Sequence, residues 1–282
     1  MKTRTAVLTA TAMVAFAANS LLTRQALGAG GIDPASFTTI RVMSGAVVLG
    51  ALAALRSRRP APASFDVRAA AMLFAYMALF SFAYVSLGAG AGALILFAAV
   101  QLTMFAAAMR AGERFGWRAW AGLATAMAGL VYLVSPGLTA PDPWGALMMT
   151  GAGIAWGLYS LLGRGAAGPL GATTVNFVLS VPAVLVLSLL FMAHVRITGP
   201  GMALAMISGA VTSAGGYVIW YAALPHMPAS RAATVQLSVP VIAALGAVVL
   251  LGEALTWRLV IASALTLSGV AMVLEQRTGR KR

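Results

Sequence analysis

Val14 to Arg24 reads VAFAANSLLTR, and 140 residues later Ile154 to Arg164 reads IAWGLYSLLGR. Ala15, Ser20, Leu21, Leu22 and Arg24 recur as Ala155, Ser160, Leu161, Leu162 and Arg164, with Phe16 opposite Trp156. The same offset carries Gly112-Glu113, Trp117-Arg118 and Gly129 onto Gly252-Glu253, Trp257-Arg258 and Gly269. Between them, with small shifts for loop length, Pro34, Thr38 and Thr39 align with Pro169, Thr173 and Thr174, and Tyr84 aligns with Tyr221. Matches in one order along the whole chain define an internal repeat, which divides the sequence into 1–136 and 137–282.

The repeat also decides how the first segment is read. Basic residues followed by an apolar stretch and Ala15-Phe16-Ala17 resemble a cleavable signal peptide. The partner of that stretch lies in mid-chain, where no signal peptide sits, so the segment is expected to be a retained helix.

Only 9% of the residues are charged, 61% are hydrophobic and the mean hydropathy is +0.91, far from the soluble average. A bilayer is the expected solvent. Helices then carry the fold, because a backbone facing lipid must satisfy its hydrogen bonds within its own segment. Apolar stretches of spanning length fall at 6–22, 37–55, 69–87, 89–109, 117–134, 144–162, 172–193, 202–224, 232–251 and 257–274. The expected fold is an all-α integral membrane protein of ten transmembrane helices. Five spans per unit is an odd number, so the second unit is inverted relative to the first.

The formal charge of +13 does not point to nucleic acid, because the basic residues form short clusters between apolar runs. Those clusters orient the chain. With the N-terminus inside, Lys2, Arg4, Arg56, Arg58, Arg59, Arg68, Arg110, Arg114, Arg118, Arg164, Arg231, Arg277, Arg280, Lys281 and Arg282 are cytoplasmic, and only Arg24, Arg41, Arg196 and Arg258 are outside. Both termini are therefore expected in the cytoplasm.

Inverted repeats support alternating access, with the solute site near the midplane between the halves. The expected function is transport of a small molecule. The Gly-Glu-x3-Trp-Arg-x10-Gly stretches, the run from Tyr221 to Ala233 (YAALPHMPASRAA), the Pro240 helix and the ten-span layout resemble the drug/metabolite transporter superfamily and, within it, the EamA family. That resemblance covers roughly residues 6–275. It implies an exporter in the bacterial inner membrane with a central cavity open to one side at a time, and amino acids, aromatic ones among them, as substrates.

Polar and aromatic side chains at mid-helix depth are the candidate substrate contacts, since an unsatisfied polar group in hydrocarbon is costly. Asn19 and Ser20 lie late in the first helix, and Tyr159 and Ser160 occupy the equivalent places in the sixth. The third and eighth helices carry Tyr76, Phe80 and Tyr84, and Tyr217, Trp220 and Tyr221, each set along one face. Tyr84 and Tyr221 lie near span ends, where an interfacial belt is the competing reading. Gln101 in the fourth helix, and Gln236 and Ser238 in the ninth, offer amide and hydroxyl groups suited to a zwitterion. Trp156 completes the set, although packing is the reading preferred for it over ligand contact. Helices one, three, four, six, eight and nine are thus expected to line the cavity, with five and ten at the periphery.

Arg41 is the charged side chain set deepest within a span, and snorkelling to the outer surface is the reading preferred over carboxylate binding. Glu113 and Glu253 are read as ion pairs with Arg114, Arg118 or Arg258, or as helix-start anchors. Gly88, Gly90, Gly92, Gly153, Gly157, Gly215 and Gly216 suggest close helix packing, and Pro182, Pro225, Pro228 and Pro240 suggest kinks. No Asp, Glu, His, Lys or Cys lies in a span, which argues against an enzyme. No cofactor or metal site is expected, His194 and His226 being isolated. The expected partners are a small-molecule substrate and the lipid bilayer, with a monomer as the working unit.

Overall fold

The protein is described by a computed structural model covering residues 3–56, 66–113, 115–137, 139–163, 168–227, 232 and 235–279. Lys2, Arg58, Arg59, Arg114, Arg164, Pro228, Arg231, Ala233, Arg280, Lys281 and Arg282, all used in the sequence reading, lie outside these residues.

The chain runs through α1 (Thr3–Gly28), α2 (Pro34–Arg56), α3 (Val67–Ala83), α4 (Ala89–Arg110), α5 (Trp117–Val134), α6 (Pro143–Leu162) and α7 (Pro169–Leu190). The continuous rod α8 follows, made of Gly199–Ile207, a π-helical stretch Ser208–Gly215 and Gly216–Ala223. It is succeeded by α9 (Ser238–Leu251) and α10 (Trp257–Gly279). Among the described residues no strand forms, and one antiparallel bridge links Ile32 to Ile197.

Eight of these helices are long and apolar enough to cross a membrane, while α3 and α9 are apolar but shorter. Both differences from the expected spans have local causes. The third span, expected to reach residue 87, ends at Ala83, where the Val85 and Ser86 N–H groups donate only three residues back, to the Phe82 and Ala83 carbonyls, and tighten the chain into a turn. The ninth, expected from 232, begins at Ser238: Pro240 has no N–H to give the Gln236 carbonyl and its ring crowds that carbonyl. Val235 and Gln236 are helical too, and a turn at Leu237 separates them from α9.

Three of the six acidic residues close helix starts. Asp33 accepts from Ser36 N (2.9 Å), Asp66 from Arg68 N (2.9 Å) and Asp142 from Gly145 N (2.6 Å). The outer surface is apolar, with Val249 79% and Leu190 74% exposed. Trp117, Trp144 and Trp257 stand exposed at helix starts, where indole rings suit a bilayer interface.

Packing follows the repeat. The helix pairs α5 with α10, α2 with α7 and α4 with α9 join equivalent elements, while α1 on α8 is mirrored by α6 on α3 and α1 on α9 by α6 on α4. The halves therefore pack chiefly on each other. At α6 the approach is made by glycine: a Cβ on Gly153 would lie 2.5 Å from Ala99 Cβ and 2.6 Å from the Leu96 carbonyl of α4. At the α5–α10 seam, Gly122 and Gly269 face each other's carbonyl oxygens, at 2.5 and 2.4 Å from an added Cβ.

The connectors after α1, α3, α5, α7 and α9 gather at one end. Asp33 N donates to the Arg196 carbonyl (2.9 Å), Arg196 N returns to Asp33 Oδ2 (3.0 Å), and Thr198 Oγ1 donates to the Gly31 carbonyl (2.7 Å). Ser86 Oγ donates to Asp142 Oδ2 (3.0 Å). Glu253 pairs with Arg24 Nε (3.1 Å) and accepts from Ala89 N at the start of α4 (2.9 Å), while Arg24 Nη1 donates to the Tyr84 and Val85 carbonyls (3.2 Å each). This corrects the expected partnership of Glu253 with Arg258. Arg258 instead covers the end of α5, donating to the Leu133, Ser135 and Pro136 carbonyls.

Candidate functional site

Phe16, Asn19 and Ser20 of α1 meet Arg41 of α2, Tyr76 and Phe80 of α3, Leu96 and Phe97 of α4, and Trp156 of α6 around one cavity between the halves. Thr212, Ser213 and Tyr217 of α8 and Gln236 complete its wall. The spacing that pairs Tyr84 with Tyr221 also pairs Tyr76 with Ser213 and Phe80 with Tyr217, so the cavity takes equivalent positions from both repeats. Its volume is about 30 Å³. A water needs roughly 10–15 Å³ on this measure, so the cavity has room for about two waters and must widen to take an organic solute.

Arg41 is 0% exposed and does not snorkel, which corrects the sequence reading. It lies seven residues into α2, about 10 Å along the axis at 1.5 Å per residue, too deep to reach the surface. Its Nε donates to Ser213 Oγ and its Nη2 to Tyr76 Oη, both at 3.2 Å. The guanidinium carbon sits 5.4 Å from the Tyr76 ring centre and 5.0 Å from that of Phe80, within cation–π range. Nη1 has no hydrogen-bond partner. Among the described residues no carboxylate lines the cavity or pairs with this charge.

The π-helical stretch brings α8 to this point. A Cβ on Gly209 would lie 2.1 Å from the Arg41 carbonyl, so glycine is what allows α8 to press on α2 and present Ser213. Widened turns of this kind recur at functional sites. In the same stretch Ser208 and Thr212 both donate to Asn19 Oδ1, at 2.7 and 3.1 Å, which fixes the amide.

Aromatic rings form the rest of the wall. Trp156 stacks on Tyr217 (5.3 Å between centres, 16° between planes) and contacts Tyr76 at 4.8 Å. Tyr76 touches Phe80 at 5.4 Å, and Phe16 approaches Tyr217 at 6.0 Å. Such a surface accepts a flat or bulky apolar group, with hydroxyls and an amide beside it to orient a polar end.

Of the twelve candidate residues, the structure gathers Asn19, Tyr76, Phe80, Trp156, Tyr217 and Gln236 here. Tyr84 is fully buried behind Phe80, edge-on at 4.8 Å, which overturns the belt reading. Tyr159 packs behind Trp156 (5.4 Å) and Trp220 behind Phe16 (6.2 Å). Tyr221 is half-buried outside the lining, and Ser238 Oγ donates to the Val235 carbonyl. Gln101 lines a separate cavity with Phe105, Leu123, Val270 and Leu274, between α4, α5 and α10. The expected lining helices omitted α2, and with it Arg41. Thr212 and Ser213 were also missed, although Ser208 and Thr212 sit one turn apart on one face.

Apolar helices packed as two similar halves around a cavity define a multi-pass membrane transporter. Residues 3–135 and 143–275 each match the EamA-like transporter family, and the chain belongs to that family. It is 49% identical over 277 residues to the "Uncharacterized protein PA1977" of Pseudomonas aeruginosa, covering 98% of this chain and 96% of that one. It is 30% identical over 264 residues to a "Probable terminal-alkyne amino-acid exporter" of Streptantibioticus cattleyicolor, covering 89% and 87%. A protein of known crystal structure shares the fold over 99% of both chains, with a TM-score of 0.65 at 20% identity.

Proposed function

We propose that this transporter exports amino acids with aromatic or bulky apolar side chains, the two repeats rocking to expose the cavity to one side at a time. The carrying observation is the cavity itself, in which stacked rings and fixed polar groups from both halves meet at the junction of the repeats. The exporter name of the Streptantibioticus relative supports the substrate class and the direction. All ten helices span the bilayer in this reading: the gathering of five alternate connectors at one end requires α3 and α9 to run from end to end like the rest. The units 1–136 and 137–282 are then inverted copies in a bacterial inner membrane, both termini are cytoplasmic, the gathered connectors are outside, and a monomer suffices.

The test is counterflow of labelled phenylalanine in proteoliposomes. Saturable uptake, competed by phenylalanine, tryptophan and methionine and untouched by sugars or polyamines, is expected. Competition by sugars or polyamines alone moves the chain to other metabolites or drugs, and flux linear in concentration makes it a channel-like facilitator.

A further inference from the structure

We infer that Arg41 is the carboxylate anchor of the cavity, and that this transporter selects aromatic or bulky apolar monocarboxylates without requiring an ammonium group. The inference rests on the amino-acid reading and sharpens it.

A guanidinium keeps its charge at any working pH and carries five N–H donors. Here the Nε edge is used by Ser213 and one Nη2 donor by Tyr76, while Nη1 is buried with no partner. Arg41 is fully buried, so lipid headgroups and bulk solvent do not reach the charge, and the small cavity beside it has room for only about two waters. A buried charge left uncompensated is strongly unfavourable, and the facing rings of Tyr76 and Phe80 offset only part of it. The Nη1 donors complete a forked site on a cavity wall, the geometry that a carboxylate meets with two parallel hydrogen bonds. One positive charge matches a monoanion, and a dianionic phosphate ester would keep a charge unmatched.

Among the described residues of the cavity wall, the opposite end of an amino acid finds no ionic partner. Asp33, Asp66, Asp142 and Glu253 all serve connectors or helix starts. Asn19 Oδ1 already accepts from two hydroxyls. Only neutral groups such as Gln236 remain to meet an ammonium, and none of them repays its burial as a carboxylate would. Recognition is therefore concentrated on the carboxylate and the apolar tail.

Calorimetric binding to the purified wild type separates the ends of the molecule, using phenylalanine, 3-phenylpropionate (no ammonium) and phenethylamine (no carboxylate). Phenylalanine and 3-phenylpropionate are expected to bind within about tenfold of each other, and phenethylamine at least thirtyfold more weakly. Arg41→Gln is expected to weaken both carboxylates at least thirtyfold and leave phenethylamine unchanged, and Arg41→Lys to restore part of the loss. Phenethylamine binding as tightly as 3-phenylpropionate, or wild-type affinity for 3-phenylpropionate in Arg41→Gln, overturns the inference. If the variants fail to fold, the wild-type comparison decides alone. Binding of 3-phenylpropionate without phenylalanine keeps the anchor and removes the amino-acid reading. Binding of phenylalanine without 3-phenylpropionate, or of neither, removes the anchor.

Discussion

Removing the Glu253 carboxylate should unlatch the end of the molecule where the connectors gather. Glu253 holds Arg24 and the first N–H of α4 together, and Arg24 in turn covers the last carbonyls of α3, so one pair ties α1, α3 and α4 of the first repeat to the α9–α10 connector of the second. The two side chains are 26% and 23% exposed, between a surface pair and a buried one. Exposed pairs contribute about 0–1 kcal/mol and charge-assisted hydrogen bonds about 1.5–3 kcal/mol, which places this latch at about 2 kcal/mol. In Glu253→Ala that difference shifts the closed-to-open balance at this end by about thirtyfold, at about 1.4 kcal/mol per factor of ten. The chain has no cysteine, so Ser20→Cys supplies a single reporter on the cavity wall. Labelling by a membrane-impermeant maleimide added on the side of the gathered connectors, the outside in the proposed orientation, is expected to accelerate about thirtyfold in the Glu253→Ala background, with Glu253→Gln intermediate. An unchanged or slower rate refutes the latch.

Trp156→Ala, which deletes the ring stacked on Tyr217 and touching Tyr76, should weaken phenylalanine competition about fivefold, as expected for loss of one aromatic contact worth about 1 kcal/mol at about 1.4 kcal/mol per factor of ten. Unchanged competition would show that the ring only packs. Gly269→Leu places side-chain atoms against the Gly122 carbonyl, and overpacking of this kind costs about 1–3 kcal/mol, so the detergent-solubilised variant should melt at lower temperature in a fluorescence-detected assay. Equal melting would mean that the seam yields. Because the described residues of the lining include no carboxylate or histidine, net flux down a phenylalanine gradient should persist with equal pH on both sides, no membrane potential and a protonophore present. Flux that appears only with an imposed pH gradient would contradict this.

The helical architecture was legible because the apolar runs and the repeat are properties of the chain order itself. The site was legible in part. Tyr76, Phe80 and Tyr217 fell on faces that the helical period identifies, and symmetry drew attention to Trp156 opposite Phe16. Arg41 was visible as a charge inside a span, but its burial depends on Gly209 admitting α8 and on a π-helical stretch that hydropathy does not encode. Tyr84 looked like a belt residue because it stands near a span end. Its burial comes from Gly92, whose absent side chain opens the slot that the ring fills. Gln101 lies about one turn beyond Phe97 along α4, where α5 and α10 enclose a second cavity; sequence places it at the right depth class but not in the right compartment.

If the two repeats rock as proposed, one line of contact must stay closed, and the seam between α5 and α10 has the properties of such a line. It lies away from the Arg41 cavity, and Gly122 and Gly269 bring the two backbones together there without side chains that would have to slide past each other. Glycine at this contact would then serve the proposed rocking as a bearing, letting the repeats tilt on each other while their spacing stays fixed. Bulk added at the seam would act on the stroke of the machine as well as on its stability.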